Sequence, residues 1–368
     1  MQLTKYINSV LITAVLTIFL FQLPSVIVDP YKVFGFTNFN QKNFEPNTRY
    51  LKIEHLLKDK SYNAFILGSS RVNFYDIELA NKLLGYKFYN MTAPSETQPG
   101  VRKKLDWLVT NRQIKKVIIG LDYDHQTIET FSDLLRLDHP LVSGQSKREF
   151  YFKYTLFQPN SLITVIQDNL KSENEYLFDI NTGQYAFPVR DNLRKENADV
   201  YATNFLKPRL QEIEKKGKNP IENARKMNSL KELQKTVDII NKNNIDATFV
   251  INPYNHHLFV TFDIDEYNEW VRKVLEITGQ LWDFAGINSV TINDKMYYEY
   301  SHFTKEVGDV ALMRMFNNKN KNLGLNIPSD FGVLVTQEKL NDHLEKTKRA
   351  YEKYKEDYKK RYMINQPK

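Results

Sequence analysis

The chemistry-bearing residues of this chain gather in two distant stretches. Phe65-Ile66-Leu67-Gly68-Ser69-Ser70-Arg71 sets two hydroxyls directly after a short apolar run, and Tyr298-Glu299-Tyr300-Ser301-His302-Phe303-Thr304 sets a carboxylate three residues before a histidine. A serine hydroxyl is a weak nucleophile until a base takes its proton, and histidine serves when a carboxylate fixes its tautomer. The residue types therefore point to nucleophilic chemistry at an acyl carbon, with Ser70 as nucleophile, His302 as base and Glu299 as the group that orients the imidazole. A plainer role for Ser70, capping the helix that follows, stays open.

Such residues need a scaffold, and the pattern around them supplies one. The apolar run 64–67 reads as a buried strand, Gly68 permits a sharp turn, and 72–84 has helical spacing. Strands at 64–67, 87–91 and 116–121 alternate with helices at 77–84 and about 100–111, the rhythm of a parallel sheet covered on both faces. Ser70, the 90–95 segment and Asp122 all fall beyond strand carboxyl ends, where such sheets bind ligands. Residues of about 126–220 break the rhythm with an aromatic cluster at 150–157 and a hairpin turn at Asn181-Thr182-Gly183, so an insertion over the active-site edge is expected. The rhythm returns with a helix at 220–244, a strand at 247–251, a helix at 264–277, a run at 279–284 and a helix at 307–316.

The two ends of this pattern resemble the SGNH (GDSL-type) hydrolase superfamily. Gly68-Ser69-Ser70-Arg71 resembles its first block, Asn90-Met91-Thr92-Ala93-Pro94-Ser95-Glu96-Thr97 its second, Val117-Ile118-Ile119-Gly120-Leu121-Asp122 its third and Glu299-x-x-His302 its last. The run Leu281-Trp282-Asp283-Phe284-Ala285-Gly286 is similar to one branch of that superfamily. Its members are membrane-anchored extracytoplasmic proteins that work beside MBOAT O-acyltransferases, such as the alginate acetylation proteins and the D-alanyl transfer protein of teichoic acid synthesis. Ser69 stands where the first block has aspartate, Ser95 where the second has an oxyanion-hole glycine, Asp122 where the third has asparagine, and Glu299 where the last has aspartate. The resemblance covers roughly residues 60–125 and 245–315. It implies a three-layer, flavodoxin-like parallel sheet and the catalytic set Ser70, His302 and Glu299. It also implies an oxyanion and substrate site among Ser95, Asn90, Thr92, Asp122 and Arg71, with the Ser70 and Ser95 N–H groups as oxyanion donors. Arg71 steadies the turn or neutralises an anionic substrate. The implied function is O-acyl transfer, acetyl transfer for instance, to a cell-surface polysaccharide with an MBOAT partner. An anchored esterase using the same residues, or a non-catalytic scaffold of an acylation complex, are the alternatives.

Composition narrows the rest. The 368 residues carry a net charge of +7 and 42% hydrophobic side chains, enough for one large domain with an insertion. The positive charge is dispersed through helical Lys/Glu patterns, which argues against nucleic acid and leaves a weak attraction to anionic lipid or acidic glycan. No cysteine is present, so disulfides and thiolate chemistry are excluded. From Tyr6 to Val28 no residue is charged, and Lys5 precedes the run while Asp29 follows it. That length crosses a bilayer, with the amino terminus cytoplasmic and the main domain periplasmic or extracellular. A cleaved signal peptide is the rival, but no small-x-small site precedes Asp29. The expected organisation is an anchor at 1–28, a connector at 29–63, the α/β domain at 64–330 and a charged amphipathic helix within 331–368. In the connector, Arg49 and Lys52 are expected near lipid headgroups. The C-terminal helix carries a seam of Leu340, Leu344, Thr347, Tyr351, Tyr354, Tyr358 and Tyr362 that docks on its own domain or on a partner. Asp122, Asp124, His125, His256 and His257 are the side chains open to a metal. Adjacent histidines rarely share a site, so neither a metal nor a cofactor is expected.

Overall fold

A computed structural model describes residues 2–35, 47–124, 137–156, 159–171, 175–207, 220–316 and 327–362. Its centre is a six-stranded sheet built from β1 (Ala64–Leu67), β2 (Phe88–Asn90), β3 (Lys116–Leu121), β6 (Asp246–Ile251), β7 (Gln280–Asp283) and β10 (Val333–Thr336), in the order β10-β7-β6-β3-β1-β2. The first five pair in parallel and β10 pairs antiparallel with β7. Counted along the parallel strands, this is the 2-1-3-4-5 order of one class of doubly wound sheet, whose switch point lies between β1 and β3. Ser70 follows β1 and Asp122 follows β3. The strand β10 lies where the sequence places only the C-terminal helical segment: Val333-Leu334-Val335 caps the sheet edge, and the helix begins at Leu340.

The sheet divides the core by the two-residue period of its strands. Phe65, Leu67, Val117, Ile119, Phe249 and Ile251 face one layer, which holds helix residues such as Leu105, Leu233, Val271 and Leu344. Ala64, Ile66, Ile118 and Val250 face the other, which holds Ile77, Ala80, Val307 and Leu312. Because both faces are covered, β1 and β3 read as unbroken buried runs rather than alternating ones.

The helix Gln2–Val28 is long and apolar enough to span a membrane, with only 6% of its hydropathic window buried against the protein. Asp29 stops it: its backbone turns to φ +44°, and its carboxylate accepts from the N–H groups of Val33, Phe34 and Gly35. The inserted region does more than edge the site. Its helix Lys147–Thr155 packs, through Phe150 and Tyr154, on Val33 and Tyr50, which follow the apolar N-terminal helix. Its hairpin β4 (Leu177–Asp179) and β5 (Gln184–Ala186) clamps the serine turn, with Asn73 and Tyr185 bonded to each other in both directions. The C-terminal helix Leu340–Tyr362 docks on its own domain. Its seam is tyrosine-rich because hydroxyls are needed there: Tyr351 donates to the carbonyls of Val260 and Phe262.

Candidate active site

The strand β1 ends at Leu67, and Gly68 turns the chain at φ +150°, where a Cβ would lie 2.8 Å from a Val72 methyl and 3.2 Å from the Gly120 carbonyl. Only glycine fits that approach of the turn to β3. Ser69 then caps the short 3-10 helix Ser70–Phe74. The Ser69 hydroxyl reaches Asp122 Oδ2 at 2.5 Å, while the Ser70 hydroxyl points the other way, to His302 Nε2 at 2.6 Å. His302 Nδ1 is in hydrogen-bond contact with Glu299, whose second oxygen accepts from the Ser301 N–H at 3.0 Å. The short ribbon of β8 (Tyr297–Glu299) and β9 (His302–Phe303) makes this possible by folding His302 and Glu299 onto one turn. The helix Lys305–Phe316 seats that ribbon: Gly308 meets the Phe74 backbone so closely that a Cβ there would fall 1.8 Å from the Phe74 carbonyl.

Burial by itself raises the Glu299 carboxyl, but hydrogen bonds from His302 and the Ser301 N–H, with the Arg71 charge, hold it below the usual glutamate range. Glu299 is therefore anionic at neutral pH and keeps the proton on His302 Nδ1, which leaves Nε2 free to accept from Ser70. In chemical terms a hydroxyl, an imidazole and a carboxylate stand in hydrogen-bonded series, an arrangement that can serve as nucleophile, base and orienting anion.

The remaining expected site residues separate into two groups. Asn90, Thr92 and Asp122 are buried, and their side chains are bonded to the protein itself. Asn90 Nδ2 donates to the Val72 carbonyl, Thr92 Oγ1 to the Ser69 carbonyl, and Asp122 accepts from Asn252 as well as Ser69. They brace the serine turn from below. Arg71 is likewise turned inward: it is 1% exposed and held by four hydrogen bonds and an ion pair. Nε donates to the Ser301 carbonyl, NH1 contacts Asp122 and Asp124, and NH2 donates to Asp124 and the Ser301 hydroxyl, at 2.8–3.0 Å. Its guanidinium also stacks 4.8 Å above the Tyr254 ring. Of its two expected roles the geometry uses the first. Ser95 differs from these. It is exposed and adopts φ +51°, the left-handed conformation that glycine favours. Among the described residues, neither the Ser70 N–H nor the Ser95 N–H meets a protein acceptor.

Two further features lie outside the sequence expectations. Asn252, at the end of β6, links Asp122 to the buried Tyr75 hydroxyl, a role no local pattern announces. Arg49 and Lys52 are also buried, away from any headgroup. Arg49 donates to the Pro94 carbonyl at 2.7 Å and pairs with Glu96 and Asp138, and Lys52 Nζ donates to the Thr92 carbonyl at 2.6 Å. The connector helix Thr48–Lys58 thus holds the 92–96 loop. His125 lies outside the described residues, and Asp122 and Asp124 are taken up by Arg71.

Asp124, Arg190, Glu299, Ser301 and His302 border an open cleft of about 530 Å³. Arg190 also borders a second hollow of about 620 Å³ that starts at Pro30 and Tyr31, just past the end of the apolar N-terminal helix. No protein-family model matches this chain, and no curated protein matches it.

Proposed function

We propose that this protein is a membrane-anchored serine acyltransferase or esterase of the SGNH type, acting on acyl esters at the outer face of a cell membrane. The observation that carries the reading is the 2.6 Å contact of Ser70 Oγ with His302 Nε2, backed by Glu299 on Nδ1. The Ser70 hydroxyl proton passes to His302 Nε2 as Oγ attacks the acyl carbon. The oxyanion of the tetrahedral intermediate rests on the unpaired Ser70 and Ser95 N–H groups. Collapse breaks the bond to the leaving alkoxide, which takes the proton from His302, and leaves the acyl group on Ser70. In the second half His302 deprotonates an acceptor hydroxyl, whose oxygen attacks the acyl carbon; collapse breaks the bond to Ser70 Oγ, which takes that proton back from His302.

The resemblance favours a polysaccharide hydroxyl as acceptor and an MBOAT membrane protein as acyl source. The proximity of the cleft to the membrane end of the chain, through Arg190, supports delivery from the membrane side. The full-length protein in detergent is incubated with p-nitrophenyl acetate. A nitrophenol burst with an acetyl adduct on the Ser70 peptide is expected in the parent protein. Ser70→Ala and His302→Ala should each lower turnover by about a thousandfold or more. Equal turnover in all three proteins, with no adduct, would sink the reading.

A further inference from the structure

His256 and His257 open the short helix His256–Phe259 after β6, and both rings are buried. Neither takes part in the serine chemistry above. Their ring centroids lie only 4.0 Å apart, and both Nε2 atoms face one carboxylate: His256 at 2.9 Å from Asp294 Oδ1 and His257 at 3.4 Å from Asp294 Oδ2. We propose that His256, His257 and Asp294 form a binding site for a divalent transition metal, zinc being the ion their chemistry suits.

Three observations carry this. The three ligand atoms lie within 4.8 Å of one another, and ligands around a tetrahedral zinc with bonds of about 2.0–2.1 Å are separated by roughly 3.3 Å. The two measured separations bracket that figure. Second, the other nitrogen of each ring is held from the same side: His257 Nδ1 meets the Tyr358 hydroxyl at 2.6 Å, and His256 Nδ1 meets the Tyr354 hydroxyl at 3.1 Å. An imidazole whose Nδ1–H donates to a hydroxyl presents the Nε2 lone pair outward, which is the tautomer a metal requires. Asn255 Nδ2 fixes the carboxylate in turn, at 2.9 Å from Asp294 Oδ1. Third, the histidine side chains are 2% exposed but Asp294 is 29% exposed, so one side stays open for the ion to enter and for a water as fourth ligand. Neutral hydrogen bonding explains the contact of either histidine with Asp294. It does not call for two adjacent imidazoles turned to the same anion with both outer nitrogens supported.

The site would be a clip. Asp294 opens the turn Asp294–Met296 that leads into β8 and Glu299, while Tyr354 and Tyr358 belong to the C-terminal helix. A bound ion joins the end of β6, the ribbon that carries the base, and the docked tail.

The test uses full-length, untagged protein in detergent, stripped with a chelator and then titrated with zinc chloride by calorimetry. One zinc per chain is expected, with a rise in melting temperature, and cobalt(II) in its place should give the intense visible bands of a tetrahedral N/O site. Asp294→Asn should abolish saturable binding, and Tyr354→Phe with Tyr358→Phe should weaken it about 10–100-fold while the protein still melts cooperatively. Absence of saturable binding by the parent protein overturns the site, as does binding of equal strength in the parent and the tyrosine double variant. These readouts do not involve the serine, so their outcome is separate from that of the acetyl-adduct experiment.

Discussion

Arg71 and Arg49 are built alike. Each is buried, each pairs with two carboxylates, and each donates to the carbonyl of the residue just before a proposed site residue: Arg71 to Ser301, next to His302, and Arg49 to Pro94, next to Ser95. They differ in their reserves. Arg71 places its whole guanidinium in a single cage of Asp122, Asp124 and Ser301. Arg49 shares its task with two lysines, since Lys104 also pairs with Glu96 and Lys52 holds the Thr92 carbonyl. The loop of the proposed base thus hangs on one guanidinium, whereas the loop proposed to supply an oxyanion donor rests on three basic side chains. A single many-toothed contact gives exact placement but no fallback, and a distributed one tolerates the loss of a member.

The comparison is broken most directly at Arg71. Replacing it by methionine leaves Asp122 buried without its cation, and removal of one partner from a buried pair costs about 3–5 kcal/mol. Chemical unfolding of Arg71→Met should show that loss, and ester turnover should vanish with it. Arg71→Lys keeps the charge but not the planar fork, so activity should fall further than stability. If Arg71→Met unfolds within about 1 kcal/mol of the parent, the single-point account of the base loop is wrong.

Arg49→Met should be milder, about 1–3 kcal/mol, because Lys104 still neutralises Glu96 and Asp138, whose carboxyl is already raised, can take up a proton in place of its lost partner. The loss should also depend on pH in a definite direction. Burial raises the Asp138 carboxyl, against the pull of Arg49 and Lys104, and Arg49 and Lys104 together overcome burial at Glu96 to hold it at about 2. Without Arg49 the Asp138 carboxyl rises further. A carboxyl raised in the folded state contributes stability below its unfolded pKa that is lost as pH rises through the folded one. The penalty of Arg49→Met is therefore smallest in acid and grows toward neutrality, as unfolding curves at a series of pH values would record. A flat penalty would mean that Asp138 takes up no proton when its partner goes.

The same contrast marks how far the sequence reaches. The strands at 64–67 and 116–121 were legible because a strand buried on both faces is a bounded apolar run, and the Ser70 turn because Gly68 breaks that run. Glu299 and His302 were legible because their contact is local. Arg49 was not: it bonds to Glu96 and Asp138, 47 and 89 residues away, and a cation just past a membrane helix reads as a headgroup contact until those partners are known. Asn252 and Asp294 escaped for the same reason. The tyrosine seam of the last helix was visible as a periodicity, but its partners, the carbonyls and histidines of 256–262, were not. Asn90 and Thr92 were visible as polar residues at a strand end, yet nothing local distinguishes a side chain that faces a ligand from one that turns under the loop to support it.

The smallest effect belongs to Lys52, and it sharpens the idea of a distributed support. Its ammonium is fully buried, and burial first, then the charges of Lys104 and Arg49, push its pKa well below the ordinary lysine value. Methionine fills nearly the same space without the cost of burying a charge, so Lys52→Met should change stability near neutral pH by no more than about 1 kcal/mol. The pH dependence is more telling. Between the lowered folded pKa and the unfolded value of about 10.4, the unfolded chain binds a proton that the folded protein does not, so the parent gains stability as pH rises through that window. The methionine variant has no such proton. Unfolding free energies of the two proteins, measured from about pH 7 to about pH 10, should diverge in favour of the parent. Parallel curves would mean that Lys52 stays charged in the folded protein, and the 2.6 Å contact with Thr92 would then be an ionic strut as strong as Arg49 rather than the weakest of three.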